Sequence, residues 1–244
     1  MRRVKVMGVV NVTPDSFSDG GKFFRPEEAV RRAVNLIEEG ADIIDLGGES
    51  TRPGATPIGW EEEWSRIEPV LKTLNPQLST LNLSIDTYHP ETAERALAAG
   101  ATMINCVKME AAEAMLALAE EYAGHTANGV GLVLPAKILD EPGFSPSAFH
   151  VSLYFDPMIG FGTTREEDVE LLRSIPELAK RGPILVGASR KRIVKKLTGE
   201  KTTGKNLAGN LAIAMWAAMH GASAVRVHDV KETVEALKVL EALG

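Results

Sequence analysis

A closed (β/α)8 barrel, an α/β fold of the TIM-barrel kind, is the architecture this sequence predicts, on three observations. Short apolar, β-rich runs alternate with longer helical patterns along the chain, the signature of βαβ units with right-handed crossovers. The runs number eight, the count that closes a barrel. Polar motifs follow nearly every run, whereas an open doubly wound sheet gathers them at one switch point. The 244 residues are close to the ~250 typical of one such barrel, so 1–244 is expected to form a single domain.

The strands are expected at Val4–Val10, Ile43–Leu46, Leu81–Ile85, Thr102–Ile104, Val130–Leu134, Val151–Phe155, Ile184–Val186 and Ala224–Val227. Each is compact and mostly apolar, as a strand covered on both faces must be. Helical patterns lie between them at Pro26–Glu39, Glu61–Leu74, Pro90–Ala99, Glu110–Tyr122, Arg165–Lys180, Lys205–His220 and Val230–Leu243. Pro26 and Pro90 stand in first turns, where a missing N–H costs nothing. Gly40, Gly100 and Gly221 stand where helices end. Arg31-Arg32 and Lys195-Lys196 are read as solvated helix faces. Residues 135–150, with three prolines and a glycine, leave little room for a crossover helix, so the helix between strands five and six is expected to be shortened or absent.

Hydrophobic residues make up 44% and charged residues 25%, ordinary for a globular protein. The net charge of −6 argues against a nucleic-acid partner, which calls for a basic face. It leaves room for a small anionic substrate held by a few local arginines. One cysteine, Cys106, fits a reducing compartment. The apolar stretch Val6–Val10 is too short for a signal sequence, and no run reaches bilayer length, so a cytoplasmic protein without a membrane partner is expected.

Polar residues at the C-terminal strand ends of a barrel converge on one mouth. Here they are Asn11; Glu49, Ser50, Thr51 and Arg52; Asp86; Asn105; Asp156; Ser189, Arg190 and Lys191; and Arg226 with His228. Asn11, Thr51, Arg52, Ser189, Arg226 and His228 are donors suited to an oxyanion-rich group, with the arginines able to fork onto phosphate oxygens. Asp86, Asn105 and Asp156 offer acceptors. A carboxylate can take two parallel N–H bonds from an amidine-like edge such as a 2-amino-4-oxo pyrimidine ring. The expected ligand therefore carries a nitrogen heterocycle at one end and phosphate at the other. Each residue alone has a plainer reading: Asp86 and Asp156 as caps of the next helices, His228 as a loop histidine, Asp45 as a structural residue hydrogen-bonded inside the barrel.

At these positions the chain resembles the dihydropteroate synthase family. The matching segments are Met7–Gly21, Asp45–Ala55, Ser84–Thr87, Asp156-Pro157 with Gly160-Phe161-Gly162, Leu185–Lys191 and Arg226–Val230. The resemblance implies a transferase of folate biosynthesis. It would condense 6-hydroxymethyl-7,8-dihydropterin pyrophosphate with para-aminobenzoate, releasing pyrophosphate. Asp86, Asn105 and Asp156 would hold the pterin, with Lys191 covering the ring and bonding its carbonyl. Asn11, Thr51, Arg52, Arg226 and His228 would hold pyrophosphate with Mg²⁺, the metal resting on Asn11 and Asp19. Phe17, Thr51, Arg52, Pro53 and Ser189 would form the para-aminobenzoate pocket, under a lid spanning Pro14 to Gly21. Asp86, Asp156, Lys191, Arg226 and His228 would carry the catalysis, in a homodimer.

Four departures from the family pattern lie between 106 and 163. Cys106 follows Asn105 where the family has Asp, and Leu132–Lys137 replaces a Met-His-Met-type motif, with Leu134 able to supply apolar packing. Met158 replaces a glycine, and Thr163 a lysine. They suggest a divergent or engineered member, and leave a non-catalytic pterin- or phosphate-binding paralogue as the alternative. A methyltransferase on a related barrel is a third reading, which the Arg52, Arg226 and His228 set argues against.

Overall fold

The computed structural model describes residues 3–13, 26–50, 55–74, 82–124, 129–200, 202 and 204–244. Phe17, Asp19, Thr51, Arg52 and Pro53, expected in the site, lie outside the described residues, as does the lid between Pro14 and Gly21.

Eight parallel strands close into a barrel in sequence order, β1 pairing with both β2 and β8. They are β1 (Lys5–Asn11), β2 (Ile43–Gly47), β3 (Asn82–Asp86), β4 (Met103–Asn105), β5 (Gly131–Pro135), β6 (Ser152–Asp156), β7 (Ile184–Val186) and β8 (Ala222–Val227). Every expected strand is present, most of them shifted one residue toward the C-terminus. That shift draws Asn11, Asp86, Asn105 and Asp156 into the hydrogen-bonded ladder as the last residues of their strands.

The helices are α1 (Pro26–Glu38), α2 (Trp60–Leu74), α3 (Pro90–Ala98), α4 (Ala112–Ala123), α5 (Arg165–Arg173), α6 (Ile175–Leu178), α7 (Arg192–Thr198), α8 (Leu207–Met219) and α9 (Val230–Leu243). The single helix expected over 165–180 is two, broken at Ser174 ahead of Pro176. Between β5 and β6 there are only two 3-10 turns, Ala136–Asp140 and Pro146–Ala148, so the crossover helix is absent there. Buried Ile138 and Leu139 take over its packing, together with Phe144, which stacks on Phe149 at 5.6 Å and meets Phe155 edge-on at 6.2 Å. Arg181 ties the segment down through Asp140 at 2.8 Å.

Arg32 is not the solvated residue expected. Its guanidinium donates to the His228 carbonyl at 2.8 Å and to Glu39 at 3.1 Å, fastening α1 to the loop after β8. Neither Asp86 nor Asp156 caps a helix. The N-cap position of α3 is His89, with no side-chain cap, and α5 is capped by Thr164 in a capping box with Glu167.

Side chains alternate along a strand with period two, so the barrel interior fills in layers. Met7, Ile43, Met103, Val133, Leu185 and Ala224 pack together as one buried apolar layer, with Tyr154 against it. Two residues further along those strands stand Val9, Asp45, Asn105, Pro135, Gly187, Arg226 and, after Tyr154, Asp156. An apolar plug thus lies directly beneath a polar layer at the C-terminal mouth.

Candidate active site

The centre of that polar layer is Arg226. Its Nε donates to Asp45 Oδ2 at 2.6 Å and its Nη2 to Asp86 Oδ2 at 2.7 Å. The same Asp45 oxygen accepts from Asn105 Nδ2 at 3.1 Å. Asp45 is fully buried, so its negative charge is tolerable only because the guanidinium and the amide meet it. Burial works against the Arg226 charge, but Asp45 and Asp86 outweigh it and hold the guanidinium firmly protonated.

The strand-end expectation for Arg226 therefore holds in position, with a partner that sequence reading missed. Two of its nitrogens engage aspartates, leaving Nη1 as the one not used by these bonds. Asp45 is indeed hydrogen-bonded inside the barrel, as its plainer reading had it, but it is also the hinge of the site. Burial raises the Asp86 carboxyl to about 7, Arg226 opposing the shift and the charges of Asp45 and Glu63 adding to it.

Asp156 ends β6 facing the same space. Its Oδ1 accepts the Met158 backbone N–H at 2.6 Å, and its Oδ2 lies 3.6 Å from where a Cβ on Gly187 would stand, a position that the Arg226 side chain also approaches, to 3.7 Å. Burial raises its pKa, against the pull of Lys191 and Arg226. Lys191, half-buried at the start of α7, donates to the Ile159 carbonyl at 2.7 Å, and its ammonium sits 4.2 Å from the Phe161 ring centroid. Burial lowers it to about 8, Asp156 resisting. Asp86, Asn105, Asp156, Lys191 and Arg226 thus form one electrostatic cluster drawn from β3, β4, β6, the residue that precedes α7, and β8.

Ser189 and His228 meet beside it, Ser189 Oγ lying 3.1 Å from His228 Nδ1 and accepting the His228 backbone N–H at 3.3 Å. Arg190, also a strand-end residue, turns away from the mouth. It bonds Asp229 at 2.5 Å, while its backbone N–H meets Asn210 at 3.0 Å, which braces the turn carrying Lys191. Asn11 ends β1 half-buried, its Oδ1 3.8 Å from the Cβ position of Gly47.

A cavity of about 210 Å³ opens next to Asp86, lined also by Glu49, Glu63, Tyr88, Lys108 and Phe161. Glu49 accepts from Tyr88 at 2.6 Å and pairs with His89 at 3.2 Å. Lys108 stands 3.2 Å over the Tyr88 ring. Glu63 is buried against Gly48, accepts from Thr87 at 2.6 Å, and is raised by its burial. Sequence reading gave Glu63, Tyr88 and Lys108 no role. An acidic first turn on a helix looks solvated, and only the absence of a side chain at Gly48 lets Glu63 fold inward.

Fold and mouth together define a barrel of the pterin-binding enzyme class, and a profile described as pterin binding enzyme matches residues 7–127 and 137–228. The gap in that match contains all of β5. Dihydropteroate synthase of Neisseria meningitidis serogroup C is 39% identical, over 98% of this chain and 93% of its own, and that of Escherichia coli K12 37%, over 97% and 90%. Two solved structures cover 99% of this chain and 94% of their own. Xanthomonas albilineans dihydropteroate synthase with 4-aminobenzoic acid shares 40% identity at TM-score 0.86, and its complex with 7,8-dihydropteroate 39% at 0.83. The chain belongs to the dihydropteroate synthase family.

Proposed function

We propose that residues 1–244 act as one pterin-binding barrel that condenses 6-hydroxymethyl-7,8-dihydropterin pyrophosphate with para-aminobenzoate, giving 7,8-dihydropteroate and pyrophosphate. The observation that carries this reading is the convergence of Asp86, Asn105, Asp156 and Lys191 on a polar layer above an apolar plug, in a chain that matches dihydropteroate synthases over 93% and 90% of their length. Related structures hold 4-aminobenzoate, 7,8-dihydropteroate and 6HMPPP.

In this reading the carboxylates of Asp86 and Asp156 accept the amino edge of the pterin, and Lys191 donates to its carbonyl. As the diphosphate departs, positive charge develops at the pterin methylene, and the preorganised carboxylates favour it. Arg226, through Nη1, with His228, Ser189, Thr51 and Arg52, receives the departing diphosphate. Ser189, Thr51, Arg52, Pro53 and Phe17 line the para-aminobenzoate side. Losing one well-placed donor to developing charge costs on the order of 3 kcal/mol of barrier.

Mg²⁺ would rest on Asn11 and Asp19. The half-buried amide oxygen of Asn11 at the mouth is the hard donor that this ion takes, beside water and phosphate oxygens. When bound, the ion offsets charge on the leaving diphosphate. We place the enzyme in the cytoplasm as a homodimer, with α8, whose Met219 is 62% exposed, as the interface. Among the described residues no helix is long and apolar enough to cross a membrane.

The test is para-aminobenzoate-dependent release of pyrophosphate by the folded, magnesium-supplied protein. Tight pterin binding without turnover would instead mark a non-catalytic paralogue.

A further inference from the structure

Lys191 is held by a loop that the mechanism leaves unexplained. Ile159 supplies the carbonyl that accepts its ammonium, and Phe161 the ring beside it. Between them Gly160 adopts φ +81, and a Cβ there would come within 3.1 Å of the Lys191 side chain. The lysine stem thus lies against bare backbone, and the loop's exact path decides where the charge sits.

One side chain dictates that path. Asp168, on the first turn of α5, is fully buried. Its Oδ1 accepts the Gly160 N–H at 2.7 Å and the Thr163 hydroxyl, and Thr163 Oγ1 in turn accepts the Gly160 N–H at 3.1 Å. Its Oδ2 is buried with no partner. The next residue after the lysine closes the ring, Arg192 donating to the Thr163 carbonyl. A buried carboxylate with an unmatched oxygen is costly to keep. Here it anchors the loop and places a negative charge behind the ammonium.

We propose that Asp168, with Thr163, is the positioning residue for Lys191, shaping the 159–163 loop and setting both the location and the proton affinity of the ammonium that covers the pterin. It touches no reacting atom and acts through the lysine. The groups facing Lys191 are Asp156 from β6, Arg226 from β8, Asp86 from β3 and Asp168 from α5. Asp156, Asp86 and Asp168 hold the proton on, while burial and Arg226 favour its loss.

The functional side of this inference rests on the synthase reading, so its test has an arm that does not depend on turnover. The Lys191 ammonium is titrated by NMR in selectively labelled protein, assigned by Lys191→Arg, in wild type, Asp168→Asn and Thr163→Val. Removing the Asp168 charge should lower the Lys191 transition below about 8, by less than removing Asp156 would, since Asp168 is the weakest of the three carboxylates acting on it. Thr163→Val keeps the charge and should move it less. In steady-state assays Asp168→Asn should move the alkaline limb of kcat/KM down by the same amount and raise KM for the pterin substrate about tenfold, a loss of ~1.4 kcal/mol in binding. Asp168→Ala risks unfolding, and Asp168→Asn, nearly isosteric, decides the matter. An inactive wild type whose Lys191 still shifts would reject the synthase reading and keep this one. An unmoved Lys191 titration in folded Asp168→Asn would overturn the proposal.

Discussion

Arg226 Nη2 donates to Asp86 Oδ2 at 2.7 Å, so the last strand of the barrel neutralises the carboxylate at the end of the third. The contact spans 140 positions of chain and exists only because the barrel closes. It couples fold to site, since the same guanidinium holds Asp45. Arg226→Ala would strip buried Asp45 and part-buried Asp86 of their shared cation, and the expected cost is about 3–5 kcal/mol of stability together with loss of activity. Arg226→Lys keeps the charge but cannot fork to both aspartates, and should recover only part of it. Urea denaturation midpoints check both.

The pH–rate profile should be a narrow bell. Asp86 must be ionised to accept N–H bonds, so activity falls as pH drops through about 7, where its carboxyl takes a proton. Lys191 must be protonated to donate, so activity falls again as pH rises through about 8. Asp45→Asn removes a negative charge that raises Asp86 and leaves Arg226 to it alone. Both effects lower the Asp86 transition, so the acid limb should move to lower pH while the alkaline limb stays nearly in place. Measurement of kcat/KM across the range tests the direction.

Met158, which the sequence resemblance sets against a glycine, has φ +68, the left-handed region. A non-glycine residue there pays roughly 1–2 kcal/mol. Glycine adds entropy to the unfolded chain worth roughly 0.5–1 kcal/mol, so Met158→Gly should stabilise by no more than about 1.5 kcal/mol. Met158→Ile, β-branched, should destabilise by about 1–2 kcal/mol and displace the N–H that Asp156 accepts. Thermal melts and pterin affinity would show both.

Ser189 holds His228 by Nδ1. Ser189→Ala should remove this hold on the imidazole and lower kcat/KM about tenfold, the size of one charge-neutral hydrogen bond. A stability change below ~1 kcal/mol would separate this from unfolding.

Much of this was legible in the sequence, for identifiable reasons. Strands covered on both faces announce themselves as apolar runs, and Asn11, Asp86, Asn105, Asp156 and Arg226 could be placed because polar residues closing such runs must share one mouth. The missing crossover helix followed from Pro135, Pro142 and Pro146. Asp45 was less legible: its partner lies 181 residues away, and no local period points to it. Asp168 was hidden in the run Glu166-Glu167-Asp168, which reads as favourable charge at a helix N-terminus. Only the turn at Gly160 brings the backbone back over it. Lys191 was assigned to the pterin, yet nothing in its neighbours along the chain reveals that Ile159 and Phe161 hold it.

The most direct measurement is chromatographic detection of 7,8-dihydropteroate formed from the pterin pyrophosphate and para-aminobenzoate, by wild type and by Asp86→Asn at matched circular dichroism. The account predicts steady product formation by wild type and a fall on the order of 10²-fold or more in the variant. Absence of product from folded wild type, or equal rates from the two proteins, would contradict it.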